Sequence, residues 1–531
     1  MRGIVMRWCS AVALSAALAC GQTAAVERPV FEVTTVGPAG WRARLGPTNV
    51  GSLLASATGE RLWQPLVASL RTVLADNEAV DADLLAKWRD YQGQVWLAVW
   101  SDPFDRTSPT VAIVLHGDGK SDLAALAKDT ARVLGTDLQA PMRLCGPVMG
   151  DDRVGFYLTS AAEVDAALVT YQSFADRPRA PLPPQAPALA ASLDLKQLLA
   201  AATEGDRPSE QRGNEALGVP SLQRLGLAIG AAGPQVHFRT DLQFADQPLG
   251  IFAGIFPPAT QQPNLLHLVP DDARLWRATR FDLATVAKAG LDAFAAYEGV
   301  PPAELRTRVR DDLGFDLEQD LLAHLGDEVH FAIVPEADAS DDDEWQADRV
   351  NWTLGWRLRD ATAFAAGWQK LLDSAGPNVT NAATIDVDGA QAHRCGTIFL
   401  YDVWWSTAHG MLTLAGGRDA EALITQQLTR LKQPPPEAPK PPPALANLQR
   451  HLPPGTYGLG SSNLYWLGLA PAGLFGLLAD DLLLLGPARH LFDDPELDRD
   501  TLLDLLQVHH LDRTHLAVAR LANTFSYHLF W

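Results

Sequence analysis

The chain has few cysteines, a deficit of positive charge, and no apolar run long enough to span a bilayer. Four cysteines in 531 residues exclude a disulfide-rich scaffold. No Cys/His spacing of the zinc type and no His-Glu-x-x-His helix occurs. Lys and Arg total 43 against 63 Asp and Glu, a formal net charge of -20. That balance excludes nucleic acid and anionic membrane surfaces as partners. Trp8 to Ala19 is apolar but short. Leu464 to Ala479 is interrupted by Gly468, Pro471, Gly473 and Gly476 and stopped by Asp480-Asp481. Both fall short of the roughly 20 residues a membrane helix needs. No Gly-x-Ser-x-Gly elbow presents a nucleophile, and neither a metal nor a cofactor is expected.

Several motifs begin and then fail. Gly117-Asp118-Gly119-Lys120-Ser121 lies between a strand and a helix, where a phosphate loop belongs. The first glycine of such a loop would fall on Val114, inside the strand, so an ordinary capped turn is expected. Thr384 to Gly389 hints at a calcium loop, but Thr384 and Cys395 occupy the first and twelfth ligand positions. Asp388-Gly389 reads instead as a hairpin turn. His509-His510 sits among leucines and suits packing or a helix cap. Asp311-Asp312 is expected in solvent at a helix N-terminus.

The N-terminus carries an address. Arg2 and Arg7 flank a short apolar stretch that ends Ala16-Ala17-Leu18-Ala19-Cys20. This is the layout of an export signal over residues 1–19, and its end resembles a bacterial lipobox. The resemblance implies lipidation of Cys20, a tether over 20–36 and, with Gly21 next, anchoring at the outer membrane facing the periplasm. The membrane is then touched only through the lipid. The rival is secretory cleavage after Ala19 or Ala24-Ala25, giving a periplasmic or secreted protein.

The body of the chain echoes itself. Trp41-Arg42-Ala43 is answered by Trp276-Arg277-Ala278. Gly93 to Trp100 matches Gly326 to Val334, and Val111 to His116 matches Trp352 to Leu358, each followed by a helix that Asp, Ser or Thr starts. Gly155 to Leu158 matches Gly410 to Leu414, and Leu222 to Phe244 matches Leu511 to Trp531. Ordered echoes of this kind predict a tandem duplication. The modules run over 37–256, with a proline-rich spacer at 178–187, and over 264–531, with an acidic insertion at 338–348 and a second spacer at 434–443. The expected class is α+β, each module a mostly antiparallel sheet with helices packed on one face; one shared sheet is the alternative. Val329, Phe331 and Ile333 alternate as a half-buried strand should.

Two groups of residues stand out as candidates. Cys145 and Cys395 occupy matching Arg-Leu-Cys-Gly and His-Arg-Cys-Gly contexts. They are either a disulfide between the modules or a pair of matched free thiols. Tryptophan is abundant, 15 residues against 8 tyrosines, and Tyr401-Asp402-Val403-Trp404-Trp405 lies on a strand. Strand neighbours point to opposite faces. Tyr401, Trp404 and Trp405 therefore form either an aromatic binding surface or core on both faces.

Val269-Pro270-Asp271-Asp272-Ala273, Phe281-Asp282-Leu283, Leu313-Gly314-Phe315-Asp316-Leu317 and Leu325-Gly326-Asp327-Glu328-Val329 follow one another in the second module. This succession resembles uncharacterised bacterial exported proteins of the DUF3352 type, over about residues 264 to 430. The resemblance implies no activity and no catalytic residue. The expectation is a non-enzymatic envelope lipoprotein that binds a partner protein or wall polymer. The alternative is a hydrolase with its site between the modules.

Overall fold

The computed structural model describes residues 29–56, 82–100, 110–136 apart from 118, 120 and 121, 142–149, 153–160, 187–258 apart from 204, 262–336, 350–374, 383–398, 401–433, 451–463, 508 and 513–530. The leader with Cys20, the acidic insertion, the second proline spacer and nearly all of the first, Leu464 to Asp481, and His509-His510 lie outside these residues. No helix among the described residues is long and apolar enough to cross a membrane.

Among the described residues eighteen strands join into one sheet. In the first half these are β1 Phe31–Val36, β2 Gln94–Trp100, β3 Thr110–His116, β4 Met142–Met149, β5 Arg153–Ser160, β6 Leu189–Asp194, β7 Leu222–Ala232 and β8 Gln235–Phe244. In the second they are β9 Leu275–Arg280, β10 Leu325–Pro335, β11 Val350–Leu358, β12 Ala383–Val387, β13 Ala390–Ile398, β14 Tyr401–Ser406, β15 Met411–Gly416, β16 Thr456–Asn463, β17 Arg513–Leu521 and β18 Thr524–Phe530. Every pairing is antiparallel.

The pairings give one spatial order. The first half runs β4-β5-β3-β2-β1-β6-β7-β8. The second runs β14-β15-β11-β10-β9-β16-β17-β18, with β13 and β12 added outside β14. The eight positions coincide. β8 pairs with β18, so the halves meet edge to edge and close each other's open edges. The hairpins on either side turn on two residues, Gly233-Pro234 and Ala522-Asn523, and the first of each has positive φ, 60° and 54°. Arg239 and His528, at the same distance beyond these turns, face each other across the junction. The shared sheet, rather than two separate ones, is what forms.

One anchor of the sequence echo is displaced. Trp276 lies on β9, but Trp41 lies on helix α1, Pro38–Leu45, with its indole donating to Thr35 Oγ1 at 2.9 Å. The strand that corresponds in position to β9 is β1, which pairs with β2 and β6 at the middle of the first half. Residues 31–36, read as tether, are therefore part of the sheet. Pro38 begins α1, where its fixed φ suits a first turn.

Helices cover both faces of the sheet rather than one. Register divides the side chains into an upper face (Trp96, His237, His528, His330, Trp404) and a lower face (Ile113, Leu242, Val518, Leu412, Trp405). On the lower face α2, Ala82–Asp90, and α3, Leu123–Thr136, pack Leu84 and Leu126 on Leu115 and Phe156. In the second half α4, Leu283–Glu298, and α6, Ala361–Ser374, cover the lower face around Phe364 and Leu412. The upper face there lies under α7, Ala420–Lys432, through Leu423, Ile424 and Leu428. The turn Asn264–Leu268 covers its neighbour. Burial on both faces reverses the expected sense of β10: Glu328, His330, Ala332 and Val334 are the buried set, and Val329, Phe331 and Ile333 are intermediate.

The helix starts are as expected. Asp122 accepts from Ala125 N and Asp360 from Ala363 N, both at 3.0 Å, and Asp118, Lys120 and Ser121 of the turn that precedes Asp122 lie outside the described residues. Asp388-Gly389 turns the β12–β13 hairpin with positive φ at both residues. Asp311-Asp312 is exposed, but at the C-terminal end of α5, Pro302–Leu313, the opposite end from that expected.

Candidate functional site

The motifs of the second half build the scaffold. Asp282 caps α4 by accepting from Thr285 N at 3.1 Å, and Asp316 accepts from Gln319 N at 3.0 Å. Glu328, 2% exposed, accepts from Arg280 at 2.7 Å and Arg357 at 2.9 Å, tying β9, β10 and β11 together. A buried carboxylate persists only with such partners. Asp271 meets Arg430 of α7 at 3.4 Å. These acidic residues of the motif succession are structural ties.

The aromatic candidates are core. Trp404 and Trp405 are 4% and 5% exposed. Trp404 packs on Ala420 and Ile424 of α7, and Trp405 on Leu372 of α6 with Trp368. They sit under helices on opposite faces, so they offer no binding surface; Tyr401 opens the same strand. Cys395 is a free, buried thiol on β13 beside Trp405. Burial pushes its pKa up, partly offset by the Trp405 indole. Cys145 lies on β4, the outermost strand of the other half. Both strands bulge just after the cysteine, yet they occupy different sheet positions, because β15 and β14 lie between β11 and β13.

Polar side chains that the sequence did not nominate converge at the junction. On the upper face, His237 Nε2 and His528 Nδ1 share a hydrogen bond of 2.8 Å, and Phe530 lies 4.6 Å from the His237 ring. Burial, then the positive charge of Arg239, pushes His237 down to about 4. Burial, then His237 and Arg239, pushes His528 down to about 3. Both rings are neutral at pH 7, so one donates its N–H to the other's lone pair. Next to them Ser526 Oγ donates to Asp241 Oδ1 at 2.6 Å, and Arg239 holds Asp241 Oδ2 at 2.7 Å.

Beside this cluster runs a groove of about 350 Å³ over β6, β7 and β8. Its floor is small, Gly226 and Ala228 on β7 with Ala190 on β6, and its walls carry Ser192, Arg224 and Arg239. Alternate small residues bring a bound chain close to the sheet. A hydroxyl, two guanidiniums and the Asp241 carboxylate give both donors and acceptors. A Ser, a His and an Asp meet here, but not as a catalytic relay. Ser526 gives its proton to Asp241, and Asp241 is neutralised by Arg239 instead of orienting an imidazole. Among the described residues no group of three or more His, Cys, Asp or Glu is placed to hold a metal ion.

Sequence reasoning missed His237, Arg239, Asp241, Ser526 and His528 because nearly 300 residues separate the two strands that bring them together. The one available signal was the echo of Leu222–Phe244 in Leu511–Trp531, which pairs these two strands. No family model matches the chain, and neither a curated protein nor a solved structure shows significant similarity to it.

Proposed function

We propose that this is a non-enzymatic envelope lipoprotein, anchored through Cys20, whose folded body binds a partner protein or wall polymer in the groove over β6–β8. The reading rests on the groove itself: a polar trough of about 350 Å³ with a floor of Gly226, Ala228 and Ala190. The surrounding strands favour it, since β6 and β7 remain partly exposed along nearly their whole length, while β9 buries Leu275, Trp276, Ala278 and Thr279 and β10 buries every second residue from Gly326. The hydrolase reading draws on Ser526, His528 and Asp241 at the junction and is weakened by the direct Ser526–Asp241 bond.

We further propose that both halves descend from one copied module, of a kind resembling the DUF3352-type exported proteins. The coincidence of eight strand positions supports this. An antiparallel sheet of eight strands admits many orders, and connection rules alone do not select the same one twice.

A photo-crosslinking residue at Thr524, on the groove wall, tests the binding role in cells. The expected result is a discrete crosslinked species that Gly226→Val removes by filling the floor. Crosslinking no greater than from an exposed control at Glu304 contradicts the role. Radiolabelled palmitate incorporated by the natural chain and lost in Cys20→Ala tests the anchor.

A further inference from the structure

The second half hides an unusual number of polar atoms beneath α7. His330, Thr353, Thr413 and Gln427 are all 1% exposed or less. Both ring nitrogens of His330, the two threonine Oγ1 atoms and Gln427 Oε1 have no hydrogen-bond partner. These groups are neighbours. His330 pairs with Gly355 across β10–β11, and Gly355 pairs with Thr413 across β11–β15. A Cβ on Gly355 would lie 2.1 Å from His330 Cε1, so the imidazole lies over the glycine and reaches toward Thr413. Thr353 is the next upper-face residue of β11. Gln427 stands above on α7, its Nε2 donating to the Leu268 carbonyl at 2.9 Å. Leu266, in the turn Asn264–Leu268 that Gln427 holds, packs with Ala278 and Ala332, the cross-strand partner and the next same-face neighbour of His330.

Buried polar atoms without partners are rare in folded proteins, and five in one layer call for a common explanation. The first half supplies the contrast. The corresponding row there is Trp96, Val114 and Gly155, joined by the same strand pairings, and Trp96 and Val114 are 3% and 2% exposed. An indole and an isopropyl group occupy the level that an imidazole, a bare glycine and a hydroxyl occupy in the second half.

We propose that His330, Thr353, Thr413 and Gln427 enclose a binding site for one or more internal water molecules, bridging β10, β15 and α7. The groups present suit a small neutral ligand that both donates and accepts. Each threonine hydroxyl can do either, Gln427 Oε1 accepts, and neutral imidazole offers one donor and one acceptor. An ion does not fit. Glu328, the nearest carboxylate on the same strand face, is bound by Arg280 and Arg357, and the Arg430 guanidinium is spent on the Val269 carbonyl and Asp271. A water with two to four such partners is a structural component that exchanges slowly with bulk solvent.

Oxygen-17 magnetic relaxation dispersion on the folded protein counts long-lived internal waters. The amplitude is expected to fall by about one water or more in Thr413→Val, which keeps the shape and removes the hydroxyl, and to survive in Thr413→Ser. A crystal structure of the natural chain is expected to show solvent density within hydrogen-bond reach of a His330 nitrogen and Thr413 Oγ1. An amplitude unchanged between the natural chain and Thr413→Val overturns the proposal. So does density in which His330 bonds directly to Thr413 or Gln427. His330→Phe repeats the test from the other wall, should the valine variant fail to fold.

Discussion

The upper faces of the two halves differ more than their backbones do. Eight strand positions coincide, yet the places held by Trp96, Ala98 and Ala112 in one half are held by His330, Ala332 and Thr353 in the other. Buried polar residues follow the same division. Thr48 and Ser221 are the first-half examples among the described residues, whereas the second half buries Glu328, His330, Asn351, Thr353, Thr413, Gln427 and others. The half that hides its polar groups is covered on both faces, and the half that leaves β6 and β7 partly exposed carries the groove. Strand order is set by pairing and connection and tolerates this divergence. The chemistry of a face depends on single side chains and does not.

Charge removal should break the symmetry most strongly. Glu328→Ala leaves Arg280, whose side chain is 15% exposed, without its buried partner. The expected loss is about 3 kcal/mol in urea unfolding, at the low end of the range for broken buried pairs because Arg357 is half exposed. Glu32, a carboxylate on the first half's upper face, accepts from the Ser192 hydroxyl in a partly exposed setting. Glu32→Ala is expected to cost below about 1 kcal/mol. Equal losses would mean that the two faces are equally buried.

Two glycines sharpen the contrast. Gly355→Ala puts a Cβ into the His330 ring and is expected to cost about 2 kcal/mol. Gly226→Ala places its Cβ no closer than 3.4 Å to Asp241 Cβ, and its effect is expected within about 0.5 kcal/mol. Thermal unfolding of both variants separates an overfilled layer from an open floor.

The junction should respond to acid. His237 and His528 are held below the ordinary histidine value of 6.5, at about 4 and about 3, and His330 at about 3. The unfolded chain therefore takes up these protons first. Their contribution is complete above pH 6.5 and is lost as pH falls from there toward 4 and 3, with a slope of up to about 1.4 kcal/mol per pH unit for each group. His237→Phe should flatten the profile between pH 6 and 4.5 by one group. A profile unchanged from that of the natural chain would place this imidazole in solvent.

Much of the architecture was legible in the sequence. β2, β3, β7, β8, β10, β11, β17 and β18 lie where the echoes put strands, because alternation over six or more residues is a strong local signal. The Trp-Arg-Ala echo failed because three residues carry no period: Pro38 made one copy a helix start, and β10 and β16 held the other as a strand. Helices on both faces were not legible, since β15 buries Met411, Leu412, Thr413, Ala415 and Gly416 and so loses the alternation that names one face. Trp404 and Trp405 show the same effect, two adjacent indoles under different helices. The junction cluster left no local trace, because its members lie on strands far apart in the chain.

The sheet's continuity through β8 and β18 is most directly tested by placing cysteines at Arg239 and His528, which face each other across the junction. A short bismaleimide reagent should link the two within one chain, as peptide mapping would show, with native unfolding behaviour retained. Linkage no more frequent than for cysteines at Arg239 and Arg308, the latter on α5, would contradict a single sheet joined edge to edge.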